Sequence, residues 1–370
     1  MRILILADSN SPHTLRWAKS IRNYNNSLSI FSIHKPDPRL YEDTPDILIW
    51  SIDASRELQT KDESNISKLI YLRARKKVKQ VIKEFNPDIV HSHYASSYGL
   101  IGALSGFHPY LISLWGGDIF SFPNKSVLHK EILKFSLSKA DRILSTSRVM
   151  EAEAKKYTDK EVIITPFGID IERFYPKEEN NFFKPDDIVI GTIKTLEKRY
   201  GIDYLIKAFK LLRKKFPNKP LKLLIVGGGT QREFLERMVK ELDLENETIF
   251  TGYINHDDIQ KYHNMLDIYV AMSLEESFGV AVLEASACGK PVVVSNVGGL
   301  PEVVDHEKTG FVVEKENPEA LATAIGKLIC DPGLRIEMGR KGREKVINEY
   351  DWNESVKKMI SVYNKVISEL

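Results

Sequence analysis

Short apolar runs alternate with amphipathic helical segments along nearly the whole 370-residue chain. In the first half the runs are Ile3–Ala7, Asp88–His91, Leu111–Leu114, Arg142–Thr146 and Val162–Thr165. In the second they are Ile188–Ile193, Lys222–Val226, Thr248–Thr251, Ile268–Ala271 and Pro291–Val294. Such alternation predicts parallel sheets with helices on both faces, because a parallel crossover needs a dozen or more residues and a helix supplies them. The chain is too long for one ordinary core. Between the halves lies FYPKEENNFFKPDD, whose charge, Pro and Asn content suits a linker. The expected architecture is therefore α/β, with two doubly wound, Rossmann-like domains, residues 1–173 and 188–351, joined by a linker at 174–187. Ligands are expected outside the carboxyl ends of the strands, in the crevice between the domains. The last segment, Trp352 to Leu370, places Val356, Met359, Ile360, Tyr363 and Ile367 at helical spacing, a pattern that fits packing on either domain.

Bulk properties narrow the partners. A net charge of +2 gives a nucleic-acid partner no global electrostatic support. Cys288 and Cys330 have no metal-ligand spacing and suit a reduced, intracellular protein. No stretch approaches the roughly 20 apolar residues of a membrane span, and MRILILADSNS turns polar too soon for a signal peptide. A cytoplasmic location is expected.

The chemistry concentrates in SLEESFGVAVLEASACGKPVVVSNVGGLPEVV, Ser273 to Val304. Glu276 and Glu284 flank a Ser277-Phe278-Gly279 turn that opens a helix, and a Gly298-Gly299 turn follows an apolar strand. A glycine-led helix start presents unpaired N–H groups to phosphate oxygens. Carboxylates accept hydrogen bonds from sugar hydroxyls. Together they describe a pocket for a nucleotide-sugar. Upstream, GTIKTLEKRYGIDYL offers basic side chains, and LLIVGGGTQREFL places a glycine-rich turn between strand and helix.

The spacing of EESFGVAVLEA, CGKPVV and GGLPEVV resembles glycosyltransferase family 4. The resemblance implies retaining enzymes of the GT-B fold, whose final helix, here residues 352–370, crosses back onto the first domain. It implies a nucleotide diphosphate sugar as donor and no cofactor. An arginine and a lysine grip the diphosphate in that family. Here Lys194 takes the arginine position and Lys198 the lysine position, although one residue is inserted before Gly201 and Arg199 could replace Lys198. Glu276 corresponds to the glutamate near the donor sugar's hydroxyls and Glu284 to the one that binds the ribose. Phe278, Gly279 and Val280 would contribute backbone N–H groups, Gly227 ends the strand beside the nucleoside, and Tyr253 and Ile254 stand nearest the base. Tyr253 could equally be a core or rim aromatic. The chain contains no Asp-x-Asp triplet, so a metal-independent reaction is expected, with the lysines stabilising the leaving group.

The acceptor half departs from the commoner pattern. The first turn reads ADSNSPHTLRWAKSI, where Ser11 can cap a helix, Pro12 fits its first turn and His13 reaches the crevice or packs with Trp17. In LISLWGGDIF, Trp115 stands where many family members carry a histidine, and Asp118 in the same turn could orient a hydroxyl. His91 and His93, ending the preceding strand, could compensate. The helix over 66–85 bears Lys68, Arg73, Arg75, Lys76, Lys77, Lys79 and Lys83 against Glu84. That face suits either solvent or the anionic surface of the inner membrane leaflet. The expected function is transfer of a sugar to a hydroxyl acceptor, a glycan or lipid-linked glycan of cell-surface polysaccharide synthesis. A nucleotide-sugar epimerase on the same fold and a catalytically silent nucleotide-sugar-binding partner subunit are the alternatives.

Overall fold

The computed structural model describes residues 1–54, 64–179 and 182–369, the side chains of 64–69 excepted. The chain divides into two compact units, one of Met1–Pro166 with Glu354–Leu370 and one of Phe167–Asn353. The division falls at Pro166/Phe167, so the stretch 174–187 belongs to the second unit. There Phe174 and Phe183 are buried, and Arg343 Nη1 donates to the Phe174 carbonyl at 3.0 Å.

The first unit holds strands β1 (Arg2–Leu6), β2 (Ser27–His34), β3 (Leu48–Ala54), β4 (Ile89–His93), β5 (Tyr110–Leu114), β6 (Arg142–Ser145) and β7 (Val162–Ile164). They form one seven-stranded sheet in the order β3-β2-β1-β4-β5-β6-β7, with every pairing parallel. The second unit holds β8 (Ile188–Ile193), β9 (Leu221–Val226), β10 (Thr248–Gly252), β11 (Ile268–Ala271), β12 (Val292–Ser295) and β13 (Gly310–Val313). Their six-stranded parallel sheet runs β10-β9-β8-β11-β12-β13. In each sheet the order reverses once, between β1 and β4 and between β8 and β11. At such a switch point the loops leaving two adjacent strands diverge to opposite faces and leave a crevice at the carboxyl edge.

Parallel strands are covered on both faces, which is why most read as continuous apolar runs. Leu4, Phe31, Val90, Ile112 and Ile143 pack with helix residues Ala74, Val78, Leu133 and Leu137 in the first core. Ile190, Leu223, Ile268 and Val293 pack with Leu205, Phe209, Leu321 and Ile325 in the second. Three strands are absent from the sequence expectation, namely β2, β3 and β13. In β2, SLSIFSIH, serines break the apolar run yet sit inside the sheet, because neighbours satisfy their hydroxyls. Ser29 Oγ donates to the Leu48 carbonyl at 3.0 Å and accepts from Trp50 Nε1 at 2.9 Å. β3 and β13 are edge strands, only partly buried along their length.

The last helix, Trp352–Ser368, buries Val356, Met359, Tyr363 and Val366. Within the first unit its Tyr363 hydroxyl and His91 Nδ1 share a hydrogen bond of 2.7 Å.

Candidate functional site

The switch point of the second unit brings together residues far apart in the chain. Lys194 directly follows β8, and its Nζ meets Glu276 Oε2, beyond β11, at 2.6 Å. Both side chains are mostly shielded, at 17% and 13% exposure. Ser273 Oγ stands 3.4 Å from the same carboxylate oxygen. Two glycines explain how the backbone reaches this geometry. Gly298 has φ +54, and a Cβ there would lie 1.6 Å from the Glu276 carbonyl oxygen, so only glycine lets the 298–299 turn wrap that peptide. Gly299 N then donates to the same oxygen at 3.1 Å. Gly227, with φ +134, sits where a Cβ would fall 2.0 Å from the Lys194 carbonyl, so the turn after β9 presses directly on the strand end that carries Lys194.

Glu276 leads into the helix Val280–Ala287, with Gly279 at its N-cap and no capping side chain. The first-turn N–H groups of such a helix have no partners within it and favour negative charge. Phe278 points its ring into the core, edge-on to Phe167 and Tyr350, which leaves its backbone as the group it can offer. Glu284, on the same helix, is buried, and its Oε2 lies 3.5 Å from His263 Nε2.

The loop after β8 carries the other basic groups. The Lys194 ammonium lies 4.5 Å from the Tyr200 ring centroid and the Arg199 guanidinium 4.9 Å from it, so one aromatic ring gathers two cations. Lys198 is exposed and, among the described residues, has no carboxylate partner. Tyr253 is 86% exposed, and with the half-buried Ile254 it follows the edge strand β10, beside Gly228. The structure thus joins Lys194 to Glu276 and draws Arg199 near them. Tyr253 and Ile254 stand apart, at the sheet margin.

Sequence reasoning missed three residues here. Tyr200 and His263 carry no motif signal. Tyr269 looks like ordinary core, yet it lies near both glutamates. Burial first, then the charges of Glu276 and Glu284, raise its hydroxyl above the usual range, and it donates to the Ile193 carbonyl at 3.4 Å.

The first unit has its own cluster at the β1/β4 switch point. His93 and Trp115 rings stack tilted at 4.4 Å, His91 meets His93 edge-on at 4.9 Å, and His13 meets Trp115 at 5.9 Å. His13 is exposed, Trp115 half-buried and Trp17 buried at the helix start. His91 uses both ring nitrogens, one with Tyr363 and the other with Ser113 Oγ at 2.8 Å. Burial pushes it down to about 3, and pushes His93 well below the usual range, helped by His91 and His13. Asp118 is fully buried and accepts from the backbone N–H of Ala95 at 2.8 Å, Trp115 at 3.2 Å and Gly116 at 2.9 Å. Burial raises its carboxyl while those N–H groups oppose the shift. Its geometry ties the loops after β4 and β5 together, which fixes the position of Trp115.

The helix Ser64–Phe85 exposes Arg73, Arg75, Lys76, Lys79 and Lys83, with Leu72 among them at 62% exposure. Lys77 instead folds over the Trp50 ring, 5.3 Å from its centroid. The Lys68 side chain lies outside the described residues. No helix among the described residues is long and apolar enough to cross a membrane.

Residues 176–345 match the family described as Glycosyl transferases group 1, and residues 2–147 match Glycosyl transferase 4-like. An uncharacterized glycosyltransferase of Methanocaldococcus jannaschii is 30% identical over 267 residues, 69% of this chain and 67% of that protein. The chain belongs to glycosyltransferase family 4. A GDP-mannose-dependent alpha-(1-6)-phosphatidylinositol monomannoside mannosyltransferase of Mycolicibacterium smegmatis is 35% identical over 200 residues, 50% of this family 4 chain. The chain spans about half of that relative, 52%. The Anabaena protein HepE, crystallised with UDP, superposes with a TM-score of 0.81 at 18% identity, covering 99% of this chain and 100% of its own. That likeness is one of fold, and the fold is GT-B, two doubly wound α/β domains.

Proposed function

We propose that this family 4 chain is a retaining, metal-independent glycosyltransferase that moves a sugar from a nucleotide diphosphate sugar to a hydroxyl acceptor. The observation that carries the reading is the 2.6 Å contact of Lys194 with Glu276 at the β8/β11 switch point, next to the uncapped start of the helix Val280–Ala287. Phosphate charge suits the lysine and the helix N–H groups, and sugar hydroxyls suit the carboxylate. Lys194, with Lys198 or Arg199, stabilises charge growing on the departing diphosphate. The departing phosphate oxygen takes the acceptor's proton as the hydroxyl attacks from the same face. Glu276 holds the donor sugar and Glu284 the ribose hydroxyls. Phe278, Gly279 and Val280 offer N–H groups, and Gly227, Tyr253 and Ile254 lie on the base side. The absence of an Asp-x-Asp triplet from the sequence supports chemistry without a metal.

The donor class also draws support from HepE, solved with UDP, and from the GDP-mannose-dependent mannosyltransferase. Both nucleotides present the same diphosphate. On the first unit, His13 and Trp115 form the surface that meets an acceptor glycan, with the buried His93 packed against Trp115 and His91 and Asp118 holding it in place. The basic face of helix Ser64–Phe85, with Leu72 exposed among its charges, supports an acceptor linked to lipid and a protein resting on the cytoplasmic side of the membrane.

A panel of UDP-, GDP-, ADP- and TDP-sugars tests the reading by thermal stabilisation, followed by release of nucleoside diphosphate without acceptor. One donor class should stabilise the protein, by about 2.7 kcal/mol at a hundredfold excess over Kd, and should be slowly hydrolysed. Stabilisation without any turnover would instead identify a silent binding partner. No stabilisation by any member would remove the donor reading.

A further inference from the structure

His263 has no part in the scheme above, yet it sits against one of its central carboxylates. Its side chain is fully buried on the helix Ile259–Met265, which leads into β11. The helix Val280–Ala287, bearing Glu284, leaves β11 on the other side, and the two helices pack together. Their junction is pinned at its far end, where Lys290 Nζ donates to the Asn264 carbonyl at 2.9 Å. Aromatic rings close two sides of the imidazole, Tyr269 at 5.5 Å and Phe174 at 6.0 Å. Neither ring nitrogen has a hydrogen-bond partner among the described residues. The ionisable group in reach is Glu284, whose Oε2 lies 3.5 Å from Nε2, a few tenths beyond a hydrogen bond.

A buried imidazole left unpaired is costly, and an apolar ring would fill the same box without that cost. We propose that His263 is a positioning residue for the donor site, its Nε2–H engaging one oxygen of Glu284 so that the other is presented to a ribose hydroxyl. The inference rests on the reading of Glu284 as the ribose-binding group. Binding of the nucleotide draws the two helices into register and shortens the 3.5 Å approach, as hydrogen bonds in unliganded sites commonly tighten on binding.

The test is a double-mutant cycle on the full chain, read by calorimetry with UDP and GDP, whichever the wild type binds. H263F keeps a flat ring and removes both nitrogens. It should weaken nucleoside diphosphate binding about tenfold, the scale of one hydrogen bond to a charged group, while kcat at saturating donor stays near wild type. H263Q, which restores a donor near the Nε2 position, should recover most of the loss. In an E284A background H263F should cost nothing further, since its effect travels through the missing carboxylate. An equal loss in both backgrounds, or no loss from H263F at all, overturns the positioning role. Unchanged affinity in E284A alone would instead sink the reading of Glu284 as a donor contact. Should H263F fail to fold, H263M, which fills a similar volume without a donor, carries the same comparison.

Discussion

Lys194 and Lys198 stand four residues apart in surroundings that assign them different duties. Lys194 is shielded and ion-paired with Glu276, so its ammonium is held in one place. Lys198 is exposed, and Arg199 beside it lies over Tyr200 together with Lys194. If Lys198 meets the leaving group, K198A should lower kcat more than it weakens donor binding, because that charge grows in the transition state. Steady-state kinetics in which R199A shows the larger kcat loss would move the contact to Arg199. The buried histidines make a second residue-scale prediction, on stability. His91 is pushed down to about 3, and His93 in the same direction. In the unfolded chain each titrates near 6.5. Between these values the unfolded state binds more protons, so the contribution is fully present above about pH 6.5 and is lost as pH falls towards 3. The loss is at most about 1.4 kcal/mol per pH unit for each histidine. Urea midpoints should therefore drop between about pH 7 and pH 5, and less steeply in H91Q. Identical slopes for both proteins would show that His91 takes up protons freely in the folded state.

At the level of elements, the turns carry more of the site than the helices do. The Gly298-Gly299 turn exists to let its backbone close on the Glu276 peptide, so G298A should disturb Glu276 before it disturbs the core. Donor affinity should fall at temperatures where circular dichroism still reports a folded protein. Simultaneous loss of both would make the turn a folding element first. The helix Ser64–Phe85 poses a different question, since an exposed basic face is cheap to maintain and easily solvated. Binding to anionic vesicles should fall steeply with salt as the Debye length shrinks to about 8 Å. A variant carrying R75Q, K76Q and K79Q should bind less at low salt. Equal binding by the two proteins would favour a solvated face and a soluble acceptor. The elements also differ in how well local sequence announces them. β1, β8 and β9 are mostly apolar and legible in the sequence. β2 is not, because serines interrupt its apolar run, and the buried Ser29 is satisfied by Leu48 and Trp50 on the next strand, which only pairing reveals.

Across the whole molecule, the proposed transfer without a metal predicts that activity survives exhaustive chelation, since in that proposal the lysines supply positive charge to the diphosphate. An assay abolished by EDTA and restored by magnesium or manganese would contradict it. The sequence by itself determined the two α/β halves and singled out the segment 273–304 as the candidate site, because periodicity, turn glycines and the placement of carboxylates are local properties. Only the tertiary structure decided which distant residues meet. Lys194 and Glu276 are 82 residues apart, and His91 and Tyr363 are 272 apart. The same holds for Asp118, which reads as an open carboxylate in the sequence and proves to be tied to three backbone N–H groups. It holds again for His263, whose position beside Glu284 follows from two helices flanking one strand. The physical reason is the strand order. A doubly wound sheet places β8 next to β11 and β1 next to β4, and no local pattern of apolar and polar residues encodes which strand lies beside which.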